Sequence, residues 1–376
     1  MKLCLISLGA LPCHVAGSGS HPGGSETQTS LLADALAARG HEVSMVVTDY
    51  DDAARSRPRT TSIPLHNAFV TRAGVPGLRF FAPRWIGLHR AMAEADADAY
   101  FQMCAGPLTG QVAFFCGRRN RGFVFATASD TDVDPSRFRL NARDRLVYRW
   151  GLERADRIVT QHAAQQAELR RTMGLDSTVI GMSARIPERH AKPDEPPIVL
   201  WVANYRAVKR PELFLETARR FPDTPFHMVG GATGAEPNLH DRVRAEAATV
   251  PNVVFHGHVP DPSPFYERAW VLLNTSSVEG FPTTFLEAWG RGAPTVSFFD
   301  PGGLIAENRC GVLASTPKEL HAGLARLLAS REERDALGAR GRAYVLREHD
   351  AGVVTERFER ELLLAARAHG RGAAGP

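Results

Sequence analysis

The chain has 376 residues, and its 45 basic and 41 acidic side chains give a formal net charge of +4. Hydrophobic residues make up 44% and charged residues 23%, which are ordinary globular values and exclude a largely disordered or fibrous chain. The length predicts two domains of ordinary size. Basic residues are interspersed with acidic ones and form no stripe, so no nucleic-acid partner is expected.

The five cysteines are odd in number, far apart and without a CxxC pair, which favours a reducing compartment. The apolar run after Lys2 passes directly into a glycine-rich loop and an amphipathic helix, so we interpret it as a buried first strand and not as a signal peptide. No apolar run approaches the ~20 residues that cross a bilayer. We therefore expect a soluble, cytoplasmic protein.

Strands and helices are predicted to alternate from the first residues. Residues 3–8 are a short apolar run, residues 17–24 are a glycine-rich loop, and a helix runs from Ser25 to a stop at Gly40. Residues 42–48 (EVSMVVT) are predicted as the second strand, which completes a βαβ unit and implies a parallel sheet. Further strands are predicted at residues 99–103, 122–127 and 157–160, with a helix at 143–155.

Four prolines within residues 187–197 mark the predicted domain boundary, and the alternation restarts at residues 198–203 (IVLWVA). We predict an α/β fold of two doubly wound, Rossmann-like domains whose strand ends face a common cleft, the place where such folds bind ligands. The predicted parts are a first domain at 1–186, a linker at 187–197, a second domain at 198–350, and a C-terminal helix with a frayed tail at 351–376 that packs back toward the first domain.

The glycine-rich loop ends in Gly23 and Gly24, directly before a helix, where backbone amides can approach an anion or a sugar. Its glycines at 17, 19 and 23 miss the G-x-G-x-x-G dinucleotide fingerprint by one residue. Asp49 nevertheless ends the second strand, where a ribose-binding acid would lie. A nicotinamide-dependent oxidoreductase is therefore one alternative, and a merely tight turn is another.

Alternating aspartates follow the GFVFAT strand in the segment SDTDVD at residues 129–134. A calcium loop is excluded, because its sixth position is Pro135 and its twelfth is Asn141. A magnesium or manganese ion held by Asp130 and Asp132 is an open alternative, and a capped turn is another. The position at a strand end makes Asp130 a candidate site residue.

The segment EGFPTTFLE at residues 279–287 is the strongest motif in the chain. Pro282 places Glu279 in a loop, whereas Glu287 falls in the first turns of a helix that Thr283 or Thr284 can cap. The two carboxylates flank a helix N-terminus whose free amides and positive dipole end suit a diphosphate. The alternative is that both acids only favour the helix start electrostatically.

Cations follow the first strand of the second domain in the segment NYRAVKR at residues 204–210. Lys209 is one of only four lysines, which suggests a specific role in neutralising a phosphate leaving group; a surface turn is the alternative. A second mixed segment, RFFAPRWIGLHRA at residues 79–91, combines aromatic residues with arginines. It could contact an anionic membrane face or a lipid-linked acceptor, or it could be ordinary core.

Taken together, these segments resemble glycosyltransferase family 4. GGSET at residues 23–27 and ARGHEV at 38–43 are similar to its N-terminal signature, and residues 279–287 are similar to its motif of two glutamates separated by seven residues, continued by AWGRGAP. KRPE at 209–212 resembles its phosphate-binding turn, and VVFHG at 253–257 its strand beside the nucleotide base. The resemblance implies a GT-B architecture, a nucleotide-sugar donor, retention of anomeric configuration, and usually no metal or other cofactor.

The resemblance also implies roles for single residues. Glu287 would hold the donor ribose, Glu279 the transferred sugar, and Lys209 the diphosphate, while Asp130 is a further catalytic candidate. The predicted donor-binding residues are Gly23, Gly24, Asn204, Arg206, Lys209, His256, Gly257, Glu279, Gly280, Phe281, Pro282, Thr283, Thr284 and Glu287.

Two departures from the family pattern stand out. The family commonly has an arginine where this chain has Asn204, and Arg206 would supply the missing charge. Many members carry a histidine in the loop that here contains Ser129 and Asp130, and no histidine occupies it.

The sequence thus predicts a retaining hexosyltransferase of polysaccharide biosynthesis that uses a UDP- or GDP-linked sugar. Its acceptor would be a glycan, a lipid-linked or a small molecule. We place it in the cytoplasm, with a peripheral position at the inner membrane face through residues 79–91. The alternatives are the oxidoreductase, a sugar-nucleotide epimerase and a non-catalytic sugar-nucleotide-binding protein.

Overall fold

A computed structural model describes residues 1–15, 23–49, 59–70, 80–134, 141–184, 186–187, 197–233, 236–277, 279 and 281–371. Most of the predicted glycine-rich loop and linker, Arg79, Gly280 and the tail after residue 371 lie outside them. The chain divides into two compact units. The first unit joins Met1–Ser183 to Ala351–Pro376, and the second is Ala184–Asp350.

The first unit is built on a parallel sheet of seven strands in the order β3-β2-β1-β4-β5-β6-β7. The strands are β1 (Lys2–Ile6), β2 (Glu42–Asp49), β3 (Leu65–Val70), β4 (Ala99–Met103), β5 (Gly122–Ala126), β6 (Arg157–Thr160) and β7 (Thr178–Val179). Nearly every residue of β1, β2, β4 and β5 is buried, because helices cover both faces of a parallel sheet.

Helices connect these strands, and several of them end at a residue in the left-handed conformation. They are α1 (Leu11–His14), α2 (Gly24–Ala38), α3 (Ile86–Ala95), α4 (Pro107–Arg119), α5 (Ala142–Leu152) and α6 (Ala163–Met173). Asp96, Asn120 and Gly174 terminate α3, α4 and α6 in the left-handed conformation.

The second unit repeats the plan with six parallel strands in the order β10-β9-β8-β11-β12-β13. The strands are β8 (Ile198–Val202), β9 (Phe226–Val229), β10 (Val253–Gly257), β11 (Ala269–Asn274), β12 (Thr295–Ser297) and β13 (Gly311–Leu313). The helices are α7 (Pro211–Arg220), α8 (Pro237–Ala247), α9 (Ser263–Arg268), α10 (Thr283–Gly290), α11 (Leu304–Asn308), α12 (Pro317–Ala329) and α13 (Arg331–Glu348).

The last helix, α14 (Ala351–Ala368), packs on the sheet of the first unit. Phe358 and Leu362 are buried in its core, and Arg157 Nε lies 2.5 Å from the Glu361 carboxylate. A Cβ atom at Gly122 would lie 2.7 Å from the Ala365 carbonyl carbon, so only glycine lets helix and strand approach this closely.

The prediction of an α/β fold with two doubly wound, Rossmann-like sheets is confirmed, because each sheet reverses its order between its first and fourth strands. No helix of the described residues combines the length and the hydropathy needed to cross a membrane.

Candidate functional site

Two loops of the second unit leave the sheet where its strand order reverses. β8 and β11 are parallel neighbours although they are not consecutive in the chain. In doubly wound sheets this reversal opens a crevice beyond the carboxyl ends of the strands, and ligands bind there. The loop after β8 carries Lys209 and the loop after β11 carries Glu279. The topology therefore brings together the two residues that the sequence placed in the site.

Hydrogen bonds to two backbone carbonyls tie the two loops to each other. Residues Ala207–Lys209 form a single 3-10 turn. The Lys209 carbonyl accepts a hydrogen bond from Thr275 Oγ1 at 2.7 Å, and the Val208 carbonyl accepts one from the Ser277 amide at 2.8 Å. Because these bonds do not involve the lysine ammonium, they fix the position from which its side chain reaches into the site.

The Lys209 ammonium forms an ion pair with Glu279 Oε2. The other carboxylate oxygen, Oε1, accepts a hydrogen bond from Asn274 Nδ2 at 3.2 Å. The Glu279 side chain is 9% exposed and the Lys209 side chain 19% exposed. A largely buried pair holds its geometry because removing either partner leaves the other charge uncompensated.

The N-terminus of α10 lies directly after this pair. Its N-cap residue is Pro282, and no side chain of the described residues caps it. The prediction that Thr283 or Thr284 caps the helix is wrong, because both residues are already in its first turn and their own amides are among the groups to be satisfied. An uncapped N-terminus presents these amides, with the positive end of the helix dipole, to an anion.

Glu287 lies one turn further along α10, within the helix as predicted. Its Oε2 is 2.6 Å from Arg291 Nη1, and its side chain is 28% exposed, whereas Arg291 is 6% exposed. Arg291 is itself packed over the Tyr266 ring, with Cζ 5.9 Å from the ring centroid. The carboxylate is therefore held by one buried cation while part of its surface stays accessible.

His256 and Gly257 end β10. The His256 ring lies against Phe265, and its Nε2 is 3.0 Å from His227 Nδ1, so its hydrogen bond is used within the unit. Burial, and then Arg268, lower the pKa of His256, while burial, His256 and Arg268 lower the pKa of His227 to about 4. Gly257 has a φ of 67°, and its carbonyl accepts a hydrogen bond from Gly230.

The remaining donor-binding predictions fall in different surroundings. Phe281 is buried, and its ring centroid lies 5.3 Å from that of His349, which indicates packing of the loop. Asn204 and Arg206 are exposed on the turn after β8. Gly280 lies outside the described residues.

In the first unit, Asp130 begins a short 3-10 helix after β5. Its Oδ1 accepts hydrogen bonds from Gln165 Nε2 at 2.9 Å and from His162 Nε2 at 3.0 Å. His162 also caps α6, because its Nδ1 accepts a hydrogen bond from the Gln165 amide at 3.3 Å. That bond assigns the proton of a neutral ring to Nε2, which faces the carboxylate.

Asp132 is held by the backbone of its own turn. It is buried, and its carboxylate accepts hydrogen bonds from the Ala128 amide at 2.7 Å and the Ser129 amide at 3.3 Å. Burial raises the pKa of this carboxyl. The Asp132 carboxylate is thus engaged with the backbone, and the residues that the structure describes contain no group of three histidine, cysteine, aspartate or glutamate side chains placed to hold a metal ion.

Gly23 is the N-cap of α2 and Gly24 its first residue. A Cβ atom on Gly23 would lie 2.5 Å from Glu26 Oε2, whereas no atom of the described residues lies within 4 Å of one on Gly24. A carboxylate thus already occupies the helix N-terminus, where the sequence suggested a phosphate or an acceptor.

Two protein-family models match consecutive parts of the chain. The model for glycosyl transferases group 1 matches residues 182–344, and the model for a glycosyl transferase 4-like domain matches residues 23–182. Together the two models span residues 23–344, and the chain is a glycosyltransferase. A D-inositol 3-phosphate glycosyltransferase from Acidothermus cellulolyticus is 24% identical to it over 341 residues, which cover 79% of this chain and 75% of that protein.

Solved structures confirm the GT-B fold of this glycosyltransferase. Sucrose-phosphate synthase from Thermosynechococcus elongatus matches with a TM-score of 0.73 at 20% identity, over 95% of this chain and 97% of the other. Alr3699/HepE from Anabaena, solved in complex with UDP and glucose, matches with a TM-score of 0.74 at 15% identity, over 96% and 99% of the two chains.

The comparisons do not favour the alternative of a nicotinamide-dependent oxidoreductase, and neither do the surroundings of Asp49 in the structure. Asp49, the candidate ribose ligand of a nicotinamide cofactor, is 4% exposed, and its Oδ2 is hydrogen bonded by Asn67 Nδ2. A carboxylate buried in this way has little surface left for a ribose.

Sequence reasoning missed His162 and Asn274. Both could have been found by examining the residues at and just after the end of each strand, as was done for the other candidates. Asn274 is the last residue of β11, and His162 follows β6 by two residues. His162 stands at a helix N-cap, a position where serine, threonine, aspartate or asparagine is usual, and that is the signal that could have singled it out.

Residues 80–91 of the segment proposed for membrane contact, 79–91, are helical. A π-helix, Phe80–Trp85, contains Pro83 and continues into α3. Trp85 packs on Phe114 of α4 with ring centroids 5.6 Å apart, while the neighbouring Ile86 is 63% exposed. The segment is therefore partly packed core and partly exposed apolar surface.

Proposed function

We propose that this glycosyltransferase moves a hexosyl group from a nucleoside-diphosphate sugar to an acceptor hydroxyl with retention of anomeric configuration. One observation carries the proposal: the cluster of Lys209, Glu279 and Asn274 lies beside the uncapped N-terminus of α10, at the point where the strand order reverses. A cation and helix amides suit a diphosphate, and a fixed carboxylate suits sugar hydroxyls.

The reaction breaks the bond between the anomeric carbon and the diphosphate oxygen, which leaves with the electron pair. Lys209 and the amides of Thr283 and Thr284 stabilise the negative charge that develops on this oxygen. The acceptor oxygen forms its bond on the face that the diphosphate leaves, and its proton passes to the departing phosphate oxygen. Glu279 holds hydroxyls of the transferred sugar, and Glu287 holds the donor ribose.

Arg206 and Asn204 border the same turn and complete the donor side in this proposal. His256 and Gly257 would contact the nucleotide base chiefly through their backbone, since the His256 ring is engaged with His227 and Phe265. The donor base is uracil or guanine. The Anabaena relative was solved with UDP and glucose, which supports the first.

The positive charge that the leaving group requires comes from Lys209 and helix amides, so we propose catalysis without a metal ion or other cofactor. Addition of a chelator should then leave turnover unchanged. A loss of activity that Mg²⁺ or Mn²⁺ restores would contradict this part of the proposal.

In this proposal Asp130 is the catalytic carboxylate of the first unit. Its orientation is set by hydrogen bonds from His162 and Gln165. Gly23 and Gly24 face the acceptor in this proposal rather than a donor phosphate, because Glu26 would repel a second anion at that helix end. The acceptor is a glycan, a lipid-linked or a small molecule in polysaccharide biosynthesis.

We further propose a cytoplasmic protein that touches the inner membrane face through the exposed part of residues 79–91. Ile86 supplies apolar surface, and Arg118, stacked over Phe114 at 5.8 Å, supplies positive charge next to it.

A thermal-shift panel with UDP, GDP, ADP and NAD tests the donor site. A ligand that binds the native state raises the melting temperature by mass action. We expect one of UDP or GDP to stabilise the wild type and to lose the effect in Glu287→Ala. The matched control is Glu332→Ala, which removes an exposed glutamate from the first turn of α13. Stabilisation by NAD alone would overturn the proposal.

A further inference from the structure

The ion pair of Glu287 and Arg291 differs from the other pairs of its spacing. Arg291 Nη1 lies 2.6 Å from Glu287 Oε2, and the arginine side chain is 6% exposed. In the other five arginine–acid pairs four residues apart within the described residues, the arginine is more than half exposed. Such solvated pairs add little to the stability of a helix. Because burial also removes the hydration of a guanidinium, stabilisation of α10 does not explain why Arg291 is buried.

The surroundings of Arg291 hold its side chain in one place. Its Cζ lies 5.9 Å from the centroid of the Tyr266 ring, and burial raises the pKa of Tyr266 well above its ordinary value, so this ring stays neutral. Arg291 Nη1 also donates to the Glu287 carbonyl at 3.3 Å. The Arg291 amide donates to the Ala288 carbonyl at 3.1 Å, directly after the last residue of α10. The backbone and the guanidinium are therefore both anchored to α10.

The partner carboxylate is more accessible than the arginine. The Glu287 side chain is 28% exposed, and it lies one turn along the helix whose first residues, Thr283 and Thr284, supply amides to the donor site. A glutamate without an anchor would lose rotamer freedom on binding a ligand, and this loss weakens binding. A carboxylate whose Oε2 is already fixed by a buried cation avoids much of that loss, because its orientation is set before the ligand arrives.

We propose that Arg291 is a positioning residue of the donor site. It holds the Glu287 carboxylate in the orientation that accepts hydrogen bonds from ribose hydroxyls, and it thereby gives the site a preference for ribonucleotides over 2′-deoxyribonucleotides. Arg291 acts through Glu287 and not by its own contact with the ligand. This inference rests on the proposed function, in which Glu287 holds the donor ribose.

Isothermal titration of the full chain with UDP, GDP and their 2′-deoxy counterparts tests the proposal. For whichever of UDP or GDP binds, the wild type should bind the 2′-deoxy form about 10- to 100-fold more weakly, the range for a lost hydrogen bond to a charged group. Arg291→Met should reduce this ratio to about threefold or less. A general loosening of the fold would weaken both forms alike and keep the ratio, so the ratio separates positioning from structural support.

Two further variants make the test decisive. Arg291→Lys keeps the charge that balances Glu287 but lacks the planar guanidinium, so it should fold and show a ratio between those of the wild type and Arg291→Met. It carries the test if Arg291→Met does not fold. The matched control is Arg220→Met, which removes the arginine of the exposed pair with Glu216 on α7 and should keep the wild-type ratio.

The outcomes distinguish this inference from the proposed function. A wild-type ratio in the Arg291 variants would overturn the positioning role and leave the proposed function in place. Equal affinities of the wild type for the ribose and deoxyribose forms would overturn the ribose role of Glu287 and the positioning role with it. Failure of both UDP and GDP to bind the wild type would overturn the proposed function itself.

Discussion

Both units carry polar side chains in the segments that follow parallel strands, but they fix them by different means. In the second unit, a charged pair joins the loops after β8 and β11, and hydrogen bonds to the carbonyls of Val208 and Lys209 hold those loops together. In the first unit, the Asp130 carboxylate is held by His162 and Gln165, both from the region that follows β6.

This difference bears on what each site tolerates. The negative charge of the Glu279 carboxylate is balanced by the Lys209 ammonium and is left unbalanced when that lysine is removed. Asp130 is 37% exposed and is oriented by a ring and an amide, so losing one of them misplaces the carboxylate without stranding a charge. We expect the second unit to respond to substitutions in activity and stability together, and the first chiefly in activity.

The largest effect is expected at the charged pair. Lys209→Met should lower kcat by about 10²- to 10³-fold, the usual loss when one stabilising group of a developing anion is removed. It should also lower the melting temperature, because Glu279 keeps its charge in a largely buried place. The double variant Lys209→Met/Glu279→Gln removes both charges and should regain the melting temperature while its activity stays lost.

Lys318→Met is the control for that experiment, because Lys318 is an exposed lysine on α12. A Lys209→Met protein that turns over at the wild-type rate would show that the lysine is a structural partner of Glu279 and nothing more.

A smaller effect is expected in the first unit. His162→Asn keeps an N-cap side chain for α6 but cannot reach Asp130 as the imidazole Nε2 does. We expect kcat/KM for the acceptor to fall about tenfold, as positioning losses do, with the melting temperature unchanged. His162→Ala removes the cap as well and should lose about 1 kcal/mol of unfolding free energy in addition. Equal activity of wild type and His162→Asn would contradict a positioning role.

The same contrast explains which parts of the two sites could be predicted from the sequence. Lys209 lies in one short turn, and Glu279 lies with the helix start at residue 283 in another short segment. The residue types of each segment indicate charge and helix-end chemistry, and the order of strands follows from the βαβ pattern. His162 and Gln165 lie over thirty residues from Asp130 in the chain, so only the folded sheet shows that β5 and β6 are neighbours.

Helix starts and side-chain orientation were harder to predict for local reasons. Pro282 rather than a threonine stands at the N-cap of α10, because the backbone turns into the helix one residue earlier than a threonine cap requires. The His256 ring looked like a ligand for the donor but turns to His227, a partner on the neighbouring strand β9 that spacing in the chain does not reveal.

We expect the pair of His227 and His256 to make the stability of the second unit sensitive to acid. The pKa of His227 is lowered to about 4 from an ordinary value of 6.5 by burial, then by His256 and Arg268. Between these two values the unfolded chain binds the proton and the folded chain does not, so the contribution to stability is complete above pH 6.5 and is lost as the pH falls toward 4. His227→Phe should reduce the acid-induced loss in melting temperature by about 2–4 °C.

Melting curves between pH 7.5 and 4 measure this difference. The control is His240→Gln, since the His240 ring bonds the neighbouring Asp241 rather than another histidine. Parallel pH profiles of wild type and His227→Phe would show that the pair does not set the acid limit.

The smallest effect separates two adjacent glycines of the first unit. The methyl group of Gly24→Ala meets no atom within 4 Å in the part of the chain that the structure describes, and residue 24 lies at the start of α2. The substitution should therefore raise the unfolding free energy by about 0.4–1 kcal/mol through the unfolded state. Gly23→Ala places a methyl group 2.5 Å from Glu26 Oε2 and forces that carboxylate to move. If an acceptor approaches this backbone, Gly24→Ala will lower kcat/KM for the acceptor although the protein is more stable, and the opposite signs of the two readouts distinguish a binding surface from a tight turn.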